Sequence, residues 1–467
     1  MSFQNKDNLK NIEKPKYEIK GLTDNKETKR YINNLLGMIY GNCLGDAYGL
    51  STEFLNKEKI KELYPKKDEF IEFPGYITNR HNSRWDKGDW TDDSDQMILI
   101  MQSFLNNKDS TDCNKIDPLE FSKLLKNWVE NGFQELSDQC GMGLGQTVGS
   151  VVFNQHFSEN PTIVSKYVWL DHKKSMAANG SLMRTSIISA MDFLNEKTVL
   201  ENTIDCCRIT HYDSRCIVSC IVFTHMLSTI LKYQFNNNDN DDDEEDNHIK
   251  ILEDLVKKID QNGLYESIAE FHFNSNKMVD ENLKEDYLKQ FNVYVRAKEW
   301  DDLALDDSSS IGYVYKCLGS SILTIRKYLQ YYKDKKTIDK TPSYLFRKVM
   351  DELIREGGDS DTNGAVAGAL LGCIIGYSNL PKDMLLEMPN KSWLDVQVVD
   401  FINLVNKRIE NDQVKPFTVD KKNFDKLNLS YLDEIDSNPN TDFLKPKSKN
   451  QKKSNLNEQT NENCIIQ

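Results

Sequence analysis

Two short stretches carry residue types suited to divalent-cation chemistry. In WTDDSDQ, residues 90–96, Thr91, Asp92 and Asp93 offer a hydroxyl and two carboxylates just before a helical pattern. In GGDSDT, residues 357–362, Asp359, Asp361 and Thr362 offer the same set, again just before a helix. With residues 359–361 extended, side chains at i and i+2 point the same way and both carboxylates can face one site. Each cluster alone has a plain structural explanation, because Asp, Ser and Thr cap helix N-termini and balance the dipole there. The pair reads differently. Four carboxylates converging inside a protein repel one another, and the partner that suits them is a hard divalent cation bound through oxygen, Mg²⁺ above all. No His/Cys set stands at zinc spacing. A binuclear site, its ions about 3.5–4 Å apart, would use this many oxygens.

Both clusters adjoin glycine series that must come from the elements positioning them. Gly364, Gly368, Gly372 and Gly376 follow the second cluster, and YINNLLGMIYGNCLGDAYG carries Gly37, Gly41, Gly45 and Gly49. A helical glycine costs about 1 kcal/mol relative to Ala, so the two series together cost on the order of 8 kcal/mol. That is comparable with a domain's net stability of about 5–15 kcal/mol. Glycines four apart leave a groove in which a second backbone settles at short distance. Dense core packing explains any one of them; close approach that brings the two acidic motifs together explains both series. Helical spacing continues over Met97, Ile100, Met101, Phe104 and Leu105, and at 117–131, 198–233, 249–261, 311–333, 343–356 and 395–411. Strand-like alternation is scarce.

The rest of the chain sets limits. A length of 467 residues with 39% hydrophobic composition allows one large core or two moderate ones. A net charge of −14 argues against nucleic acid or bulk anionic lipid as a whole-surface partner, while small anions remain accessible through a metal. Ten scattered cysteines without a CxxC pair and a charged N-terminus imply reduced thiols in the cytoplasm. The longest apolar run, Ala365 to Tyr377, is shorter than the roughly 18 residues that span a bilayer. The expected organisation is a mobile arm at 1–26, a globular body at 27–432 with a solvated acidic insertion at 235–247, and a polar basic tail at 433–467.

GNCLGDAYGLSTEF, WTDDSDQM, NGSLMR, ITHYD and GGDSDTNGAVAGALLGCIIGY occur in the order, and at about the separations, of the ADP-ribosylglycohydrolase family, which the chain resembles from about Leu36 to Tyr377. The resemblance implies an all-α, compact multi-helix fold around a dimagnesium centre, with Mn²⁺ as an alternative ion. Its activity would be hydrolysis of the bond between ADP-ribose and a protein side chain or small leaving group. Carried over by position, Thr91, Asp92, Asp93, Asp359, Asp361 and Thr362 would be metal ligands, and Glu53 would match an acid that serves catalysis in part of the family. Asn179, Gly180 and His211 would match positions lining the ADP-ribose pocket. Ser94 stands where many relatives have Thr, Asp95 adds a charge, and Asp138 matches an acidic position only loosely.

The chemistry agrees with these residue types. An oxocarbenium-like state at ribose C1″ needs a carboxyl group to move a proton and negative charge to steady the cation. NGSLMR, beside an expected helix start, would offer amides to a diphosphate; a plain turn and a structural histidine are the competing readings of Gly180 and His211. The loop DDLALDDSSS, residues 301–310, reads as solvated. Two other functions fit the acids: a non-catalytic ADP-ribose-binding or structural member of the same fold, and a metal phosphohydrolase. Acceptor linkage, whether arginine, serine, O-acetyl ester or poly(ADP-ribose), is set by pocket shape. Finally, Cys464 in the terminal Cys-Ile-Ile-Gln forms a CaaX box of the farnesylated type behind Lys445, Lys447, Lys449, Lys452 and Lys453. One lipid and a basic cluster would together hold the protein at the cytosolic face of a membrane.

Overall fold

The computed structural model describes residues 30–108, 114–237, 244–261 and 263–410. Seventeen α-helices, joined by loops and single 3₁₀ turns, make up the described secondary structure; β-pairing is confined to an isolated antiparallel bridge between Ala178 and Tyr313. The all-α expectation holds.

The glycine series lie on the helices Arg30–Gly49 and Ser360–Ile375, which run antiparallel in backbone contact. Gly37 faces Gly372, Gly41 faces Gly368, Gly45 faces Gly364, and Gly49 faces Ser360. A Cβ added at any of these seven glycines would fall 2.0–2.2 Å from a carbonyl oxygen of the facing helix. No side chain fits at such a distance, so the series are a steric requirement of this pairing. Gly376 has another role: it caps the helix at φ +80, a conformation that favours glycine.

The pairing also decides what is central. Every residue of Ser360–Ile375 is buried, and so is every residue of Arg30–Gly49 except Arg30 and Asn33. A helix apolar on all sides must be enclosed. Around Ser360–Ile375 pack Val314–Lys333, Pro342–Ile354 and Ser214–Asn236. Because the two glycine helices are antiparallel, the C-terminal end of the first meets the N-terminal end of the second. Thr52 Oγ1 accordingly lies 3.0 Å from Ser360 Oγ, and Ser360 Oγ donates to Gly49 O at 2.8 Å.

Several sequence expectations need correction. The span 198–233 is two helices, Glu196–Arg208 and Ser214–Asn236, broken where the Asp213 carboxylate accepts from Arg215 N and starts a new helix. Leu264–Ser275 and Glu281–Val295 are further helices that periodicity did not single out. Part of the acidic run is helical, since one helix ends at Asn236 and the next starts at Glu244. Ser214–Asn236 is long and apolar enough to cross a membrane by composition, although 83% of its apolar window is buried within the protein. Cys43, Cys206, Cys207, Cys216, Cys220, Cys317 and Cys373 are free and buried, whereas Cys140 is disulfide-bonded, contrary to thiols throughout. The arm at 1–26, the tail at 433–467 and Cys464 lie outside the described residues.

Candidate active site

The first acidic motif is organised by a residue the motif reading left out. Asp46, fully buried in the last turn of Arg30–Gly49, accepts from Thr91 N at 3.1 Å and Thr91 Oγ1 at 2.9 Å. Its other oxygen accepts from Ser94 N at 3.0 Å and Ser94 Oγ at 2.6 Å. Thr91 caps the Asp92–Asn106 helix, and its hydroxyl sits 3.0 Å from Asp93 Oδ2. Asp92 is held from both sides. Gln96 Nε2 donates to its Oδ2 at 2.9 Å, and Gly143, at φ +92, lets Oδ1 approach where a Cβ would sit 2.3 Å away.

The second motif differs from its expected form. Residues 359–361 are not extended: Asp359 occupies the N-cap position of Ser360–Ile375, and Asp361 lies in the first turn. Even so, Asp359 makes no side-chain cap bond, which rules against plain capping and leaves its carboxylate for the site. One carboxylate oxygen from each of Asp46, Asp93 and Asp361 lies within 4.8 Å of the others, and the same holds for Glu53, Asp359 and Asp361. The two groups share Asp361.

These side chains open on a cavity of about 320 Å³, lined by Glu53, Asp92, Asp93, Asp359, Asp361 and Thr362 together with Asn179, Gly180 and His211. That is within the range of about 300–1,000 Å³ for small-molecule sites. Thr91 stands behind this lining, against Asp46 and Asp93. Asn179 to Ser181 form a single 3₁₀ turn and not the start of a longer helix, so the expected diphosphate site on a helix dipole is not built here. Asn179 instead donates through Nδ2 to Asp359 Oδ2 at 2.8 Å and through its backbone N–H to Gly312 O at 3.0 Å. Ile311 and Gly312, at the end of the 301–310 loop, reach the cavity; Asp301 and Asp307 stay exposed.

Arg184, from NGSLMR, bridges the Asp92–Asn106 helix and the residue before His211. It donates to Gln96 Oε1 at 2.8 Å and to Thr210 Oγ1 at 2.7 Å. Guanidinium only donates, so the Thr210 hydroxyl accepts from it and gives its own proton to His211 Nδ1, 2.8 Å away. The His211 proton therefore sits on Nε2, which faces Gly180 and has no protein partner. Burial, with the Arg184 charge second, holds the His211 pKa well below its usual value and keeps the ring neutral.

The acids feel the opposite force. Burial, then repulsion from Asp93, Asp46 and Glu53, raises Asp92 well above the carboxylate range, and Asp93 and Asp361 are raised in the same way. Asp359 is raised by burial and by Glu53. Asp46 is pushed up to about 7 by burial, against the lowering effect of its Ser94 and Thr91 hydrogen bonds. Such a set needs positive charge to stay ionised. Asp93 Oδ1 makes the same point atom by atom, being buried with no hydrogen-bond partner. The donor set, all carboxylate and hydroxyl oxygen, fits a hard divalent ion.

The family model for ADP-ribosylglycohydrolase matches residues 27–413. The chain belongs to this family. ADP-ribosylglycohydrolases hydrolyse ADP-ribose linkages and depend on metal. A solved structure titled "ADP-ribosylglycohydrolase-related protein complex" shares the fold, with a TM-score of 0.51 and 17% identity over 80% of this chain and 99% of that one. An uncharacterised protein of Archaeoglobus fulgidus is 26% identical over 216 residues, which cover 40% of this chain and 63% of that protein. The chain thus spans slightly under two thirds of that relative's length.

Around this cavity, two features were absent from the motif reading. Asp46 had a legible signal: an acid in a helix's last turn opposes the dipole and calls for a compensating interaction. Gly143 could be suspected only as one glycine among several in GMGLG. Asp95 and Asp138 turn out to be structural. Asp95 accepts from the indoles of Trp90 at 2.8 Å and Trp128 at 3.1 Å, and Asp138 accepts from Phe133 N at 3.0 Å.

Proposed function

We propose that this chain is a Mg²⁺-dependent hydrolase that cleaves the glycosidic bond at C1″ of ADP-ribose, releasing a protein side chain or small leaving group. The observation that carries this reading is the pair of carboxylate groups sharing Asp361 at a cavity of about 320 Å³. Thr91, Asp92, Asp93, Asp359, Asp361 and Thr362, with Asp46 added, would hold two ions. Bound there, the ions would bring ribose hydroxyls and water together and lower the water's pKa.

The chain's own groups divide the remaining work. Glu53, 5% exposed at the cavity wall, is the general acid/base for the leaving group and the attacking water. The ionised aspartates steady the developing oxocarbenium charge. His211 presents Nε2–H to a substrate oxygen, and Asn179, pinned by Asp359 and Gly312, shapes the cavity wall. Burial on this scale limits competing water.

The test is a panel of defined ADP-ribosylated peptides and O-acetyl-ADP-ribose, incubated with Mg²⁺, with Mn²⁺ or with EDTA. Free ADP-ribose is the expected product, lost with EDTA and reduced about 100-fold or more in Asp361→Asn. Release of phosphate or AMP would establish a phosphohydrolase instead, and ADP-ribose binding without turnover a non-catalytic member. Turnover indifferent to both EDTA and Asp361→Asn would overturn the mechanism.

A further inference from the structure

Glu53 does not stand alone. Its Oε2 lies 2.5 Å from His81 Nε2, on a loop 28 residues further along the chain. Both side chains are withdrawn from solvent, at 6% and 16% exposure. On the far side of the ring, Arg84 Nη2 lies 2.8 Å from His81 Nδ1, and Arg84 Nε donates to His81 O at 3.3 Å. Arginine has no acceptor, so Nδ1 must accept, and the ring proton belongs to Nε2. The Nε2–H then donates to Glu53.

The surroundings hold this ring in place. Asn79 Oδ1 accepts from His81 N at 2.7 Å and from Asn82 N at 2.9 Å, while Asn82 Oδ1 accepts from Asn79 N at 2.7 Å. These crossed bonds fix the backbone on which His81 sits. Phe54 packs edge-on against the imidazole with centroids 4.8 Å apart, and Trp85 lies 5.3 Å away on another side. Phe54 reaches that position from a left-handed backbone, φ 59, secured by its N–H to Gly358 O at 2.7 Å. Arg84 in turn stacks over Trp85 at 4.7 Å.

We propose that His81 is a positioning residue for Glu53, with Arg84 setting its tautomer. A glutamate beside Asp359 and Asp361 has two ways to be used, as a further oxygen for the ions or as the group that moves a proton. The imidazole occupies Oε2 and fixes the rotation of the carboxylate. Glu53 thereby presents one oxygen to the cavity and is kept from closing on the ions with both. Loss of this hold leaves the ion ligands intact and misaligns the proton-moving group, an effect that falls on turnover and not on substrate affinity.

This inference rests on the glycohydrolase reading, and its test separates the two. With an ADP-ribosyl substrate that the wild type turns over, His81→Phe should lower kcat about 10–100-fold with KM within about 2-fold. His81→Gln, which keeps a donor near the Nε2 position, should recover most of that loss. In a Glu53→Gln background, His81→Phe should have no further effect, because the residue acts through Glu53. An unchanged kcat in His81→Phe, or equal losses in both backgrounds, would overturn the positioning role and leave the glycohydrolase function standing. A second measurement needs no turnover. In ¹⁵N-histidine-labelled protein, with the His81 signals assigned by their loss in His81→Phe, the nitrogen pattern should be that of an Nε2–H imidazole. A proton on Nδ1, or on both nitrogens at neutral pH, would refute the geometry even if no substrate were found.

Discussion

Asp46 shows at the scale of one residue how burial and cation binding are linked. Its folded pKa of about 7 lies above the ordinary 3.8, so between these values the native state holds a proton that the unfolded chain has released. Stability therefore falls as pH rises through that window when no cation is present. The metal-free protein is expected to melt at a lower temperature at pH 8 than at pH 5.5 by several degrees more than Asp46→Asn does, measured by scanning calorimetry in EDTA. Saturating Mg²⁺ should reverse the wild-type slope, since the cation binds the deprotonated acids and adds RT ln(1 + [L]/Kd) to stability. A wild-type slope equal to that of Asp46→Asn would contradict the assignment. The carboxylates of WTDDSDQ and GGDSDT were legible as candidates for cation binding because their types and spacing are unusual in sequence. Asp46 signalled only that an acid in a helix's last turn needs compensation, not which partners supply it, and His81 looks like any loop histidine until the backbone delivers it to Glu53.

Among the elements, the glycine pairing makes the sharpest prediction. Gly368→Ala would place a methyl group 2.1 Å from Gly41 O, against backbone that cannot rotate away. The two helices would have to separate, at a cost of about 3 kcal/mol or more. Gly145→Ala is the control, since a Cβ there meets nothing within 4 Å and φ is −66. Calorimetry should find Gly145→Ala close to wild type and Gly368→Ala markedly destabilised. Separation of the helices also moves Asp46 away from Asp361, so Mg²⁺ affinity in the folded fraction of Gly368→Ala should fall, as titration calorimetry would record. The fourth-residue spacing was visible in the sequence and announced close packing. Its register, Gly41 on Gly368 and Gly45 on Gly364, was not, because each ladder alone is compatible with several offsets and either direction.

Taken as one molecule, the protein closes its helices around Ser360–Ile375 and opens the site where both acidic motifs end. The loop before the second motif takes part. Gly358 N donates to Leu55 O at 2.9 Å and Phe54 N to Gly358 O, so the Glu53 segment is tied to the residue just before Asp359. Lys57 adds a brace, its N–H reaching Asp306 Oδ2 at 3.0 Å and its ammonium Asp301 Oδ1 at 2.7 Å.

By itself the sequence determined the helical class, the two acidic motifs and the need for close helix contact, because periodicity, ligand chemistry and glycine cost are local properties that residue type carries. Only the tertiary structure decided that Asp361 is shared between two carboxylate groups, that Asp46 completes one of them, and that His81 grips Glu53. Those relations join residues far apart in sequence. They are fixed by the antiparallel register of two helices and by the loop that returns His81 to Glu53.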